Sequence, residues 1–228
     1  MLAHPGIDII AIATPPNLHA AQAVAAAQAG KHILLEKAMA NTLEEIRAIR
    51  DAVAAAKVKS VVSFVLRWNP LFDIIKQQLA TQSLGKVFYG EVDYFHGIGP
   101  WYGQYTWNIK KEMAGSSLLS AGCHALDALR WFMGGTVAEV TQYKTRGNGP
   151  EFEAYEYDPT TVTILKFDDG RIGKVTSCIE CIQPYVFGIN LVGTEGTIRN
   201  NKIFSRKSYP GQTDWVEVPT VLPDSGDV

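Results

Sequence analysis

The chain opens on an unbroken apolar run, Ile7 to Ala13 (IDIIAIA), rich in β-branched residues and without polar alternation. Runs of this kind predict a parallel strand buried on both faces. Pro15 and Pro16 end it, because proline fixes φ and disfavours helix at the residue before it. The alanine-rich stretch LHAAQAVAAAQAG then predicts a helix stopped at Gly30. HILLE reads as a second apolar strand ending at Glu36. Asn41 and Thr42 precede Glu44 and Glu45, an N-cap signature compatible with either register of a capping box, and a helix to about Lys57 follows. SVVSFV, from Ser60 to Val65, reads as a third strand. Strand, helix, strand, helix, strand implies parallel pairing with right-handed crossovers.

After Arg67 the pattern changes. NPLFDIIKQQLATQSLG predicts a helix with Pro70 in its first turn and Gly85 past its end. KVFYGEVDYF alternates like a long half-exposed strand, and a loop rich in Gly, Trp and Tyr follows from His96 to Trp107. SLLSAGCHALDALRWFMGG predicts a helix from about Leu118 to Phe132, stopped by Gly134 and Gly135. Beyond it only strand signals remain: VAEVTQYK, a hairpin turning at Asp169-Gly170, YVFGINLVG, GTIRNNKIFS and WVEVP. Strands joined by short turns imply an antiparallel sheet. The fold class is therefore α/β plus α+β, with a parallel region over 1–66 and a mostly antiparallel open-sheet region over 67–228. The tail PTVLPDSGDV is expected to be mobile.

Composition adds exclusions. With 228 residues the chain can bury a substantial core, and a net charge of −2 gives no basic surface for nucleic acid or an acidic membrane. No run approaches the roughly 18 apolar residues of a membrane helix. The N-terminus lacks the pattern of a secretory signal, and three cysteines fit a reducing cytoplasm better than a disulfide scaffold. CIEC, Cys178 to Cys181, looks like half a zinc site; on a strand its two thiols face opposite sides, and no second pair exists, so no metal site is expected.

Four segments, IATPPNLHAAQAVAAAQAGKHILLEKAMA, FVLRWNP, SAGCHALDALRWFMGG and VGTEGTI, occur in an order that resembles the glucose-fructose oxidoreductase / inositol dehydrogenase (Gfo/Idh/MocA) family of NAD(P)-dependent dehydrogenases. The resemblance implies a Rossmann domain followed by an α+β domain whose open sheet forms oligomer contacts, hence a homo-oligomer. It implies NAD or NADP as cofactor and a sugar or polyol as substrate. The family's EKP motif, which places a lysine near the nicotinamide and the substrate hydroxyl, stands here as Glu36-Lys37-Ala38. The family proline often forms a cis peptide, a geometry rare outside proline. The family's D-x-x-x-H-x-x-D helix stands here as Ser120, His124 and Asp127, with serine in the first acidic position. TPPNLH matches a loop lying against the cofactor, which makes Thr14, Pro15, Asn17 and His19 candidate cofactor residues together with Glu36 and Lys37.

These residues suit alcohol oxidation, in which a hydroxyl proton is removed as a hydride leaves carbon. Lys37 would stabilise the developing alkoxide and His124 would accept the proton. Ser120, His124 and Asp127, at i, i+4 and i+7, share a helix face, so Ser120 and Asp127 are candidate substrate residues. Each has a plainer reading: Lys37 as a solvated loop end, His124 as a structural histidine, Asp127 as a cap or ion-pair partner. The aromatic loop, with Tyr105 and Trp107, can stack on a sugar ring or pack as a lid.

The glycine-rich turn of the dinucleotide fingerprint is not found after the first strand. Compared with the family, the chain is expected to begin late in the Rossmann domain and to stop before its usual C-terminal helix. Three readings remain: a sugar, inositol or polyol dehydrogenase or a fragment of one; a catalytically idle unit that self-associates through its C-terminal sheet; and a relative that uses NAD transiently to cleave or epimerise glycosides.

Overall fold

The computed structural model describes residues 1–224; the last four residues of the tail PTVLPDSGDV lie outside them. The first sheet is parallel, in the order β1 (Ile9–Ile12), β2 (His32–Glu36), β3 (Ser60–Ser63). Its crossovers are α1 (His19–Gln28) and α2 (Leu43–Ala56). The capping box is formed: the Thr42 hydroxyl accepts from Glu45 N at 3.2 Å, and Glu45 Oε2 accepts from Thr42 N at 3.0 Å. The core is small, with Ala23, Ala26 and Ala27 of α1 against Ile10, Ile12, Ile33 and Leu35.

Burial on both faces, expected from the apolar runs, does not occur. Both crossover helices pack on one side, so β1 alternates between exposed and buried positions and the row Ala11, Leu34, Val61 faces outward. Leu34 is 42% and Val61 56% exposed.

A short 3-10 turn, Val65–Trp68, leads to α3 (Pro70–Ala80), which starts with Pro70 in its first turn and Asn69 Oδ1 accepting from Leu71 N. The second sheet has eight strands in the order β11-β10-β9-β8-β4-β7-β6-β5. They are β4 (Val87–Phe95), β5 (Val137–Thr145), β6 (Thr160–Phe167), β7 (Ile172–Cys178), β8 (Val186–Gly193), β9 (Gly196–Arg199), β10 (Lys202–Ser205) and β11 (Val216–Glu217). All neighbours are antiparallel except β4 and β7. GTIRNNKIFS, read as one strand, is a hairpin: Asn200, at φ 50°, turns the chain between β9 and β10, and asparagine tolerates that conformation.

The segments α4 (Tyr105–Asn108) and α5 (Lys111–Ala114) shape the long loop before α6 (Cys123–Met133). Helices α3 and α6 cover one face of the large sheet, with Phe72 packed 5.0 Å from Phe132 and 5.9 Å from Phe187 between ring centroids. The helix expected over 118–132 begins instead as a π-turn, Leu118–Gly122. Gly122 explains how that turn lies so close to the sheet, since a Cβ there would meet Ser177 Cβ at 2.5 Å. None of the helices described is long and apolar enough to cross a membrane.

Candidate active site

Parallel strands deliver their following loops to one edge, and there the first sheet meets the second. Ala13 and Thr14 follow β1, and Glu36 and Lys37 lie at the end of β2. With Pro15, Pro16, Tyr102, Gln104 and Trp107 they line a cavity of 490 Å³. The Lys37–Ala38 peptide is cis, so the geometry associated with the family proline is present with alanine.

Lys37 Nζ donates to the Ser120 carbonyl at 2.8 Å, tying the first sheet to the π-turn before α6. Ser120 thus holds the lysine through its main chain, while its hydroxyl adjoins the Tyr157 phenol. His124, one turn on, is 2% exposed, and neither ring nitrogen has a hydrogen-bond partner. Its ring stacks on Tyr94 at 6.4 Å and meets the edge of Phe64 at 6.1 Å. Burial, reinforced by the Lys37 charge, holds its pKa down at about 3. The ring is therefore neutral near pH 7, with one nitrogen able to accept and one able to donate. Two unsatisfied buried nitrogens beside a cationic amine make a site poised for a polar ligand.

Some of the other expected residues lie away from the cavity or are engaged within the fold. Asp127 is engaged by Arg67 through two hydrogen bonds of 2.7 and 2.6 Å, and the Arg67 guanidinium rests 5.0 Å from the Trp131 ring. The carboxylate thus joins α6 to the segment before α3. His19 is fully buried, with Nδ1 2.7 Å from Ala38 O and Nε2 2.7 Å from Thr14 O. It ties the two cavity loops together from behind. Thr14 Oγ1 donates to Gln22, and Asn17 keeps a buried Oδ1 without a partner. Trp107 lines the cavity, whereas the Tyr105 hydroxyl donates to Glu151 O and its ring packs on Tyr155.

His96 was missed. It follows β4, is 9% exposed, and sits with Nδ1 3.2 Å from the Tyr94 hydroxyl; burial and the Lys37 charge lower its pKa. Its signal was position: it is the first residue beyond a long alternating strand, at the edge where ligands collect. The CIEC reading also needs correction. β7 ends at Cys178, strand alternation ends with it, and the Cys181 thiol turns back to donate to the Cys178 carbonyl at 3.8 Å. Among the described residues no three His, Cys, Asp or Glu side chains gather as a metal site.

Two family models account for most of the chain: "GFO/IDH/MocA C-terminal domain" over 72–199 and "Oxidoreductase family, NAD-binding Rossmann fold" over 1–64. The chain belongs to the GFO/IDH/MocA family of oxidoreductases. It is 27% identical over 198 residues to scyllo-inositol 2-dehydrogenase (NAD(+)) of Bacillus subtilis, covering 87% of this chain and 56% of that protein. It is 29% identical over 220 residues to levoglucosan dehydrogenase of Pseudarthrobacter phenanthrenivorans, covering 85% and 55%. A solved levoglucosan dehydrogenase in complex with NADH superposes with a TM-score of 0.84 at 27% identity, over 96% of this chain and 62% of that one. The chain thus spans a little over half the length of these relatives.

Residues here fit one end of a nicotinamide cofactor. The cavity joins the β1 and β2 loops to Lys37 and the aromatic loop, and Asn17 Oδ1 and the His124 nitrogens are free to bond.

Proposed function

We propose that this chain carries the catalytic residues of an NAD(P)-dependent dehydrogenase that oxidises a secondary alcohol of a sugar, inositol or related polyol. The observation that carries the reading is Lys37 Nζ, held at the Ser120 carbonyl, with its charge acting on a neutral His124 whose two ring nitrogens are unpartnered. The relatives named for scyllo-inositol, levoglucosan and, in Haloferax volcanii, D-xylose with NADP(+) support the substrate class.

Thr14, Pro15, Glu36 and Lys37 would border the cofactor, with Asn17 within the same loop. Bound nicotinamide supplies the acceptor for a hydride. Lys37, held by Ser120 O, presents positive charge to the substrate oxygen and stabilises negative charge forming there. His124 first accepts a hydrogen bond from that hydroxyl. Its low basicity means that it takes the proton only as departure of the hydride makes the hydroxyl strongly acidic. Tyr102 and Trp107 wall the cavity against water and offer faces to a sugar ring.

The outer face of the large sheet is the surface we assign to a second copy of the chain. No helix of the described residues packs on it, and it carries Tyr143, 75% exposed, and Ile164, 37% exposed. The three free thiols suit a reducing cytoplasm.

Calorimetry with NADH and NADPH, followed by a sugar and polyol screen read by cofactor reduction, tests the reading. Micromolar cofactor binding and turnover that is lost in Lys37→Ala are expected. No binding up to millimolar cofactor, or turnover unchanged in Lys37→Ala, would overturn it. Sedimentation reporting a monomer at high concentration would remove the second-copy assignment.

A further inference from the structure

The described cysteines divide into two environments. Cys123 lies at the start of α6, 9% exposed, its pKa raised to about 11 chiefly by burial. Cys178 and Cys181 lie together where β7 ends. The Cys181 S–H donates to the Cys178 carbonyl at 3.8 Å. The Thr160 hydroxyl stands 3.3 Å from Cys178 Sγ and 2.7 Å from Glu180 Oε1, and Glu180 holds Gly147 N at 2.9 Å, so the turn between the thiols is fixed from both sides. Cys181 also lines a 310 Å³ cavity with His96, Trp101, Gln183 and Tyr185, which gives a small solute a route to Cys181, with Cys178, 8% exposed, directly behind it in the same turn.

We propose that Cys178 and Cys181 are a redox modification site, a dithiol that hydroperoxides oxidise to an intramolecular disulfide beside the candidate active site. The neighbouring Cys181 thiol, the largest influence on Cys178, lowers the Cys178 pKa, and the Cys181 pKa is raised in turn. That asymmetry is what a nucleophile and a resolving thiol require. The Cys178 thiolate attacks one peroxide oxygen and the O–O bond breaks. Cys178 becomes a sulfenic acid, and the other oxygen leaves as hydroxide, which the released thiol proton converts to water. The Cys181 sulfur then attacks the sulfenic sulfur, the S–O bond breaks, and a second water departs with the Cys181 proton. Two thiols and one hydrogen peroxide become one disulfide and two waters, so the sulfurs are oxidised and the peroxide is reduced.

The site is coupled to the cleft through the backbone. Cys178 O accepts from His96 N and Ile179 O from Ile98 N, both at 2.9 Å, and a Cβ on Gly97 would lie 2.3 Å from Cys181 O. There is no slack between the thiol turn and the segment that carries His96. This inference does not depend on cofactor binding.

The test is hydrogen peroxide treatment of the folded chain, alkylation of the remaining thiols, and peptide mapping by mass spectrometry. A dithiothreitol-reversible Cys178–Cys181 link should form about tenfold or more faster than Cys123 is lost. In Cys181→Ser, Cys178 should accumulate as a sulfenic acid that dimedone traps. Loss of all three thiols at one rate, oxidation of Cys123 first, or progression of wild-type Cys178 to sulfinic acid without a disulfide would overturn the proposal.

Discussion

Both sheets are covered by helices on one side only, yet their bare faces differ in kind. The small sheet shows apolar Leu34 and Val61 there. On the large sheet the corresponding face holds Lys174 between Glu91 and Asp93, 3.2 Å from Asp93 and closer to Glu91. Their cores differ as well. Alanines let α1 sit close on β1 and β2 but remove little apolar area from water, whereas Phe72, Phe132, Phe167 and Leu129 fill the interface of the large sheet. The lesson concerns the site between them. The lysine that lines the cleft comes from the lightly packed edge. The neutral histidine comes from the deeply packed helix, where desolvation suppresses its charge.

The comparison breaks most visibly at Lys37. Lys37→Ala should lower kcat/KM by about 10²–10⁴-fold with an unchanged circular dichroism spectrum, as measured by steady-state cofactor reduction. A loss of only a few-fold would mean that the lightly packed edge contributes no chemistry.

Leu129→Ala should destabilise the chain by about 2–5 kcal/mol in urea unfolding. Leu129 is fully buried between Gly90 and Gly173, which have no side chains to fill the void. Ala26→Gly, in the alanine core, should cost only about 1 kcal/mol, mostly helix propensity. Equal costs would mean that the two cores are equally dense.

The pH dependence of stability tests the buried histidine. Unfolded His124 gains a proton below about 6.5, whereas the folded ring resists until about 3. The unfolded state therefore binds more protons in that window, and stability falls with falling pH by up to about 1.4 kcal/mol per unit. His96 acts in the same direction, because burial lowers its pKa too. His124→Asn should flatten the slope between pH 6.5 and 3 in denaturant titrations, and an unchanged slope would place the proton uptake elsewhere.

The smallest effect belongs to the bare apolar face. Val61→Thr should shift stability by less than about 0.5 kcal/mol, since the side chain is already in water. A larger loss in thermal melts would show that this face is covered in solution.

Much of this was legible along the chain because it is local. The order of strands and helices, the Thr42–Glu45 capping box, the Pro70 start of α3 and the Asp169-Gly170 hairpin each depend on residues within a few positions of one another. Motif order also named Lys37, Thr14 and Pro15, which line the cavity, and His124, which lies buried one turn beyond Ser120. Tertiary structure decided the rest. Periodicity says which side of an element is apolar but not whether anything covers it, so the one-sided packing of β1 to β3 was invisible. Arg67 meets Asp127 across 60 positions of sequence and Lys37 meets Ser120 across 83, separations at which no local pattern records a partner. The parallel pairing of β4 with β7, the π-turn that brings His124 to the sheet and the turn that joins Cys178 to Cys181 belong to the same class. Local sequence sets what each segment prefers to be; which segments meet is settled by the burial and hydrogen bonding of the whole chain at once.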